Sequence, residues 1–383
     1  MKTLGSIAGF FGVTGAFLTL LLWAKPFDRT THALHETFAA APSWTQVSNL
    51  VTDRNTQELT GGEHPLESFE ILEKSWSGPG DSRVLFMGNS QMMNISLAPG
   101  EPEPTSPEKT WVDLMADRGL RGYRLAAPAM SYAEALWYLQ YFLSHPGLMP
   151  DVVVLQLNYQ SFWNAGVRTG MLEMLSDDAF RSRIEKEVAT DAGYAETFGS
   201  ALENWKELQE SAIAAAAKPQ SEISLAAFGE NAIRSQLEGV LKTAAQQRSS
   251  FFDMLYTMRV YLLRISPTTA RSITGTRLNY SRAAVAAIVD LCFREQVRLI
   301  LFNAPVNPRV NLYRRREDRE DYLAYLESLE RENHAVVYDF ESSIPAEEWG
   351  AWLNGPDPLH MGRAAHTKLA NLVGQAIEKE LAD

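Results

Sequence analysis

Cysteine is almost absent from this sequence, in which Cys292 is the only one among 383 residues. A single cysteine cannot form an intrachain disulfide, so no disulfide framework holds the chain together. The surrounding residues 288–293 are mostly apolar, which predicts that Cys292 is a buried small hydrophobe. The lack of disulfides leaves open a location outside the cytoplasm.

Positive charge is also in short supply, because 35 lysines and arginines face 47 acidic residues and the formal net charge is -12. A nucleic-acid partner calls for clustered basic residues, so we expect none. The seven histidines are scattered without metal-ligand spacing, and no glycine-rich phosphate loop follows a predicted strand. We therefore expect neither a metal nor a cofactor.

Long hydrophobic runs are missing except near the amino terminus, where residues 4–24 carry no charge and lie between Lys2 and Lys25. This length fits one transmembrane helix. A cleaved signal peptide has a shorter apolar region, and the nearest small-residue cleavage site, at 39–41, lies well beyond the run. An uncleaved anchor over residues 1–25 is therefore favoured over a cleaved signal. The positive-inside tendency then predicts a single-pass protein of the cytoplasmic membrane with a periplasmic or otherwise extracytoplasmic domain.

Five apolar segments in the rest of the chain are typical of strands in an α/β fold. Their valine, isoleucine and leucine content without alternation predicts a sheet covered on both faces, and the helical segments between them provide crossovers for parallel strands. We expect a linker over residues 26–80 and a catalytic domain over 81–383, with a helical insertion at about 160–280. The predicted strands are 83–87, 123–127, 152–157, 297–303 and 335–340.

Ser90 stands in the turn after the first predicted strand, and Asp357 and His360 stand together near the carboxyl end of the sequence. A serine hydroxyl becomes a nucleophile when an imidazole takes its proton and a carboxylate orients that imidazole. On a loop that enters a helix, a spacing of three lets Asp357 and His360 share one side of a site. Ligands of open α/β sheets bind at the carboxyl ends of strands, where Ser90 is expected. Each motif alone is also common in ordinary loops.

Two further strand ends supply donors for the oxyanion that forms in acyl transfer. Asn158 follows the third predicted strand, and Ala129 lies just after the second. In a doubly wound sheet both ends flank Ser90, so we expect the Asn158 amide and the N–H groups of Ser90 and Ala129 to converge. Taken alone, Asn158 would be an ordinary turn residue.

The order of four sequence blocks resembles that of the SGNH (GDSL-type) hydrolase superfamily. Residues 88–90 are similar to its first block, 126–129 to its second, 156–159 to its third, and 357–360 to the Asp-x-x-His of its fifth. The resemblance implies a three-layer, flavodoxin-like α/β sandwich with a mostly parallel five-stranded sheet, and it leaves the insertion unexplained. It also implies a catalytic triad and an oxyanion hole, formed by Ser90, His360 and Asp357 and by Ser90, Ala129 and Asn158.

Four positions depart from the pattern of the superfamily. Asn89 replaces an aspartate, Ala129 stands where glycine is usual, Gln156 replaces the glycine of the third block, and Tyr159 replaces its aspartate. None of these changes removes a catalytic side chain, and Ala129 keeps its backbone N–H. They separate the chain from the simple soluble esterases of the superfamily.

A single anchor followed by a divergent domain of this kind also resembles the extracytoplasmic acyl-transfer partners of membrane-bound O-acyltransferases (MBOAT), including the D-alanine transfer protein type. That resemblance implies an O-acyltransferase, acetyl being the expected acyl group, that loads Ser90 and passes the group to a glycan acceptor. Tyr159 and Trp163 are candidates to stack on sugar rings at the mouth of the site, and packing beneath the insertion is the alternative.

Two other functions fit the same residues. A carbohydrate esterase or deacetylase would form the same acyl-enzyme and let water attack it, and the sequence does not separate transfer from hydrolysis. A catalytically inactive scaffold would bind a glycan or a membrane enzyme through the same surface.

Overall fold

The computed structural model describes residues 58–60, 69, 72–73, 76, 82–92, 115–127, 130–216, 270, 272–332, 335–352 and 355–382. The predicted membrane anchor over residues 1–25 lies outside these ranges. Within them, no helix combines the length and the apolar character that crossing a membrane requires.

A parallel six-stranded sheet is the centre of the described fold. Its strands are β1 (Glu58–Thr60), β2 (Arg83–Gly88), β3 (Arg121–Ala126), β4 (Val152–Leu157), β5 (Arg298–Asn303) and β6 (Val336–Asp339). Their order across the sheet is β1-β3-β2-β4-β5-β6, with every neighbouring pair parallel. The five predicted strands are confirmed as β2 to β6, and their order is that of flavodoxin-like sheets. The edge strand β1 lies within the predicted linker over residues 26–80, where three residues are too few to show a periodic pattern.

Helices cover the sheet on both faces. They are α1 (Tyr132–Ser144), α2 (Asp178–Thr190), α3 (Ala192–Ala216), α4 (Thr276–Arg294), α5 (Arg316–Glu332) and α6 (Arg363–Ala382). On one face, Phe86 and other residues of the central strands pack against a stripe of α6 formed by Ala365, Leu369, Val373 and Ile377. On the other face, the ring of Tyr123 in β3 lies 5.9 Å from that of Phe142 in α1, and α4 lies beside α1 and β5. The predicted three-layer arrangement is confirmed.

The start of α1 is fixed by a capping box, as the spacing of Ser131 and Glu134 indicates. Ser131 Oγ accepts a hydrogen bond from Glu134 N–H at 3.1 Å, and Ser131 N–H donates to Glu134 Oε2 at 3.0 Å. The Glu134 carboxylate also forms an ion pair with Arg168 at 2.6 Å. Removing such partners from a helix start typically costs about 1 kcal/mol. This box fixes the residue at which α1 begins.

The described part of the insertion is helical. After the 3-10 segments Tyr159–Trp163 and Thr169–Ser176, the chain forms α2 and α3. α4 then brings the chain back to the sheet, and Cys292 near its end is 1% exposed. Burial raises the pKa of the Cys292 thiol above its ordinary value. The prediction that Cys292 is a buried small hydrophobe is confirmed.

A two-stranded antiparallel hairpin, β7 (Trp349–Trp352) and β8 (Gly355–Met361), precedes α6. Trp349 pairs with Met361 and Trp352 with Gly355. The strand β8 corrects the predicted loop before the last helix, since Pro356 and Pro358 are unusual inside a sheet. In a two-stranded hairpin both strands are edges, where a missing N–H donor is tolerated.

Candidate active site

The sheet reverses its direction of winding between β2 and β4. From β2 the chain crosses to β3 on one side, and β4 then lies on the other side of β2. Ligands of open α/β sheets bind beyond the carboxyl ends of the strands at such a switch point. Ser90 begins the 3-10 turn Ser90–Met92 after β2, and Asn158 directly follows β4. The structure therefore brings these two predicted site residues to neighbouring strand ends.

The backbone turn that contains Ser90 is anchored by Asn89 on its amino-terminal side. The Asn89 side chain accepts a hydrogen bond from Gln91 N–H at 2.9 Å and donates one to Ser161 Oγ at 2.9 Å. Asn89 is 6% exposed, so its amide has exchanged water for these partners. An ionised aspartate at this position could only accept, so the Ser161 hydroxyl would have to donate to it.

Gln156 is hydrogen-bonded to Asn89, so two of the four residues that depart from the superfamily pattern are in contact. Gln156 Oε1 accepts a hydrogen bond from Asn89 N–H at 2.9 Å, and Gln156 Nε2 donates to Gln91 Oε1 at 2.8 Å. A Cβ atom at Gly88 would lie 2.5 Å from Gln156 Oε1. Met92 Sδ would lie nearer still, at 2.2 Å, so a side chain at position 88 would force both Met92 and Gln156 to move.

Gln91, which has no exposed surface, links three strand ends. Its Nε2 donates to the Pro305 carbonyl after β5 at 2.6 Å, and its Oε1 accepts from Gln156 and from Asn158 Nδ2, the latter at 3.3 Å. A carbonyl oxygen can only accept a hydrogen bond, so the Pro305 carbonyl must face the nitrogen of the Gln91 amide. A backbone N–H can only donate, so Asn89 N–H must face the oxygen of the Gln156 amide. The network therefore has one defined orientation.

Asn158 is 2% exposed and is held by its backbone as well as by its side chain. Its Oδ1 accepts from Gln160 N–H at 2.8 Å, and the Tyr132 hydroxyl accepts from Asn158 N–H at 3.0 Å and donates to Asn158 C=O at 3.3 Å. Burial raises the pKa of the Tyr132 phenol above its ordinary value, so the hydroxyl remains protonated. The Asn158 nitrogen carries two hydrogens, and Gln91 engages one of them.

Asp357 and His360 both lie in β8, and β8 contacts the turn that begins with Ser90. The main chains of the two elements that contain these three residues, the turn with Ser90 and the strand with Asp357 and His360, are therefore neighbours. β8 leads within two residues into α6, which starts at Arg363. Ala129, the remaining predicted oxyanion donor, lies outside the described residues.

The two aromatic residues predicted to meet the substrate have different surroundings. Tyr159 is 5% exposed, its ring centroid lies 4.5 Å from that of Tyr313, and its hydroxyl accepts from Ile273 N–H at 3.1 Å. Trp163 is partly exposed, and the guanidinium of Arg277 lies 4.5 Å from its ring centroid. Tyr159 packs against other side chains in this structure, and sugar stacking by Tyr159 or Trp163 stays a prediction.

Sequence analysis assigned no role to Gln91 or Tyr132. One signal was available for Gln91, because a polar residue next to an apolar strand end must find partners if it is buried. Tyr132 directly follows the helix cap Ser131 and gave no signal. Which amide meets which depends on the order of the strands, since Gln91 and Pro305 are 214 positions apart.

Neither a family model nor a curated protein matches the sequence. Among solved structures, the chain is similar to a GDSL-like lipase from Bacteroides thetaiotaomicron, with 12% identity and a TM-score of 0.38 over 83% of this chain and 99% of that one. An acetylxylan esterase from Geobacillus stearothermophilus has 12% sequence identity and a TM-score of 0.34, over 76% of this chain and 92% of that one. A family two carbohydrate esterase from Clostridium thermocellum has 10% sequence identity and a TM-score of 0.35, over 80% of this chain and 66% of that one. TM-scores below 0.5 do not establish a shared fold, so the fold assignment rests on the strand order of the sheet.

Proposed function

We propose that this chain is an extracytoplasmic, serine-dependent O-acyltransferase of the SGNH (GDSL-type) superfamily. The group it transfers is proposed to be acetyl, and the acceptor a cell-surface polysaccharide or other glycan. The observation that carries the proposal is the position of the turn Ser90–Met92 at the switch point of the sheet. Gln91 of this turn hydrogen-bonds to the buried Asn158 amide, and the strand that contains Asp357 and His360 lies against the turn. Acyl transfer needs a nucleophile, a base and an oxyanion donor at one point.

In the first half of the reaction, the Ser90 hydroxyl attacks the carbonyl carbon of the acyl donor while His360 takes its proton. Asp357 holds the imidazole in the required tautomer and stabilises the imidazolium. The carbonyl oxygen becomes an oxyanion, which accepts hydrogen bonds from the Asn158 amide and from the N–H groups of Ser90 and Ala129. When the tetrahedral intermediate collapses, His360 gives the proton to the leaving group and the acyl group stays on Ser90.

In the second half, a glycan hydroxyl attacks the acyl carbon and His360 takes the proton of that hydroxyl. A second oxyanion forms at the same donors. Its collapse breaks the bond to Ser90, and His360 returns the proton to the serine oxygen. If water attacks instead, the same steps yield a free acid, so hydrolysis and transfer differ only in the acceptor.

The proposal includes a membrane setting. The uncharged run of residues 4–24 would hold the chain in the cytoplasmic membrane as a single-pass protein, with its catalytic domain in the periplasm or otherwise outside the cytoplasm. We further propose that a membrane-bound O-acyltransferase (MBOAT) supplies the acyl group. Both statements rest on the sequence layout. Co-purification of the full chain with such an enzyme, and loss of that association when residues 1–25 are replaced by an unrelated anchor, would support them.

Intact-mass spectrometry of the full chain in detergent, after exposure to p-nitrophenyl acetate, tests the nucleophile. We expect the mass of one added acetyl group, which disappears in Ser90→Ala and persists in the control Ser144→Ala. Ser144 lies at the end of α1, where its hydroxyl donates to Gln140 C=O. Equal acetylation of the native chain and Ser90→Ala would refute the assignment.

The acceptor is tested by adding glycan fragments to the acetylated chain. We expect the acetyl group to leave Ser90 and to appear on the sugar, as seen by mass spectrometry of the glycan. Release of acetate alone, with every glycan offered, would show that the chain is an esterase.

A further inference from the structure

We propose that Gln91 is the positioning residue of the oxyanion hole, because its side chain sets the direction in which the Asn158 amide presents its second hydrogen. This inference rests on the proposed function and deepens it. Gln91 follows Ser90 directly in the chain and contacts the Asn158 nitrogen at 3.3 Å through its Oε1 atom. It therefore connects the nucleophile turn to the oxyanion donor across two strand ends.

The Asn158 amide needs such a partner because the terminal torsion of asparagine is broad and roughly two-fold. In the observed orientation, Oδ1 accepts from Gln160 N–H and Nδ2 donates to Gln91 Oε1. A rotation by half a turn would set the Asn158 oxygen against the Gln91 oxygen, and the Asn158 nitrogen against a backbone N–H. Both contacts thus oppose the inverted amide, in which no hydrogen would face the oxyanion.

Gln91 can serve this purpose because its own amide is oriented from two other sides. Its nitrogen donates to the Pro305 carbonyl at 2.6 Å, and its oxygen also accepts from Gln156 Nε2 at 2.8 Å. Its backbone N–H is bonded to the Asn89 side chain. The position therefore requires a group that accepts twice on one atom and donates once on the other, without carrying charge.

A glutamate in this place would meet that requirement only in its protonated form. A neutral carboxyl group has the shape of an amide, accepts through C=O and donates through O–H to the Pro305 carbonyl. A carboxylate would direct an oxygen at the Pro305 oxygen and would place negative charge beside the developing oxyanion. Because the position is buried, the pKa of the introduced carboxyl would be raised above the ordinary value of about 4.3.

The side chains that hydrogen-bond to Gln91 in the described residues, those of Asn89, Gln156 and Asn158, do not titrate. β8, which packs against the turn, contains the titratable residues Asp357 and His360. Burial raises the pKa of the Tyr132 phenol behind Asn158 and of the Tyr159 phenol in the 3-10 segment after β4, so both stay protonated. The native chain has the same groups. The ratio of native to variant rates therefore removes their contribution.

The test measures the burst of p-nitrophenol from p-nitrophenyl acetate between pH 5 and 8, for the full native chain, Gln91→Glu and Gln91→Met. We expect Gln91→Glu to react within about fivefold of the native rate at pH 5, and about 100-fold more slowly at pH 8. Gln91→Met should be about 100-fold slower at every pH, with KM within about threefold of native. The matched control is Gln140→Glu, a buried amide in α1 that contacts Arg183 and Tyr194, and it should follow the native pH profile.

A constant ratio between native and Gln91→Glu rates across this pH range would overturn the inference, as would a native burst rate for Gln91→Met. Melting temperatures recorded at both ends of the range separate a slower reaction from a loss of folded protein. If the native chain shows no Ser90-dependent burst, the proposed function itself fails and the inference fails with it. If the burst depends on Ser90 but keeps its native rate in the Gln91 variants, the inference about Gln91 is refuted and the proposed function stands.

Discussion

The polar side chains behind Ser90 are neutral amides, whereas those that join the helices on one face of the sheet are largely charged. Asn89, Gln91, Gln156 and Asn158 bond to one another at the ends of β2 and β4. Between α1, α2 and the end of α4, Arg183 and Arg294 instead pair with glutamates. The two regions satisfy buried polar groups with different chemistry.

Exposure explains much of this difference. In the helical region the Arg294 side chain is 50% exposed, so water shares the charge and the ion pair costs little to form. In the amide region Gln91, Gln156 and Asn158 are 0%, 3% and 2% exposed. A charge buried to that extent is costly unless it is fully paired. A fixed negative charge would also oppose the oxyanion, so neutral amides suit a site where charge appears only during the reaction.

The largest expected effect is at the oxyanion donor. We expect Asn158→Ala to slow the burst by about 100- to 1000-fold, the usual result of removing one such donor. Asn303→Ala removes a matched amide at the end of β5, where it bonds to Asp339 and Tyr322, and should lower stability with a burst rate within about threefold of native. Equal burst rates for the two variants would show that Asn158 is merely a structural amide.

Removing the hydroxyl of one buried tyrosine in each region compares the amide region with the charged region directly. Tyr132→Phe removes both hydrogen bonds to the Asn158 backbone, so we expect about a tenfold slower burst and a loss of about 1–2 kcal/mol in unfolding free energy. Tyr194→Phe removes the partner of Gln140 Nε2 and should cost similar stability while leaving the burst unchanged. Urea denaturation and burst kinetics on the same samples measure both effects. An unchanged burst in Tyr132→Phe would contradict the role given to its hydroxyl.

The charged region should affect stability alone. Arg183 bonds to Gln140, Leu143 C=O and Glu295, so Arg183→Met is expected to lower the unfolding free energy by about 1–2 kcal/mol with the burst rate within twofold of native. Arg316→Met breaks an ion pair whose arginine side chain is 87% exposed and should cost less than about 0.5 kcal/mol. A slower burst in Arg183→Met would show that the two regions are coupled.

The smallest expected effect concerns acid sensitivity. Hydrogen bonds from Arg315, with one from Ser272, hold the pKa of the Asp318 carboxyl below its ordinary value. A lowered folded-state pKa gives stability that is present above the unfolded value near 4 and is lost as the pH falls through the folded value. The difference in unfolding free energy between native and Asp318→Asn should therefore shrink as the pH is lowered from 7 to 3. Glu320→Gln, on the exposed side of α5, is the control, and a difference independent of pH would contradict the assignment.

The sequence allowed the sheet to be predicted more completely than the site. Strands such as β4, buried on both faces, appear as continuous apolar runs, whereas the three residues of β1 carry no such pattern. The location of Ser90 and Asn158 at neighbouring strand ends could be predicted from the apolar runs that precede them, and their catalytic roles stay predictions. The amide network could not, because its members become neighbours only through the strand order, and a polar residue at a strand end is also typical of an ordinary turn. The strand that contains Asp357 and His360 could not be predicted, because prolines such as those in β8 are unusual in strands.

A crystal structure of the full chain after reaction with a serine-directed fluorophosphonate would test the central claim most directly. The account predicts phosphorus on Ser90 Oγ and a phosphoryl oxygen about 2.7–3.1 Å from Asn158 Nδ2, with Gln91 Oε1 still accepting from the same nitrogen. An adduct on another residue, or a phosphoryl oxygen turned away from Asn158, would contradict it.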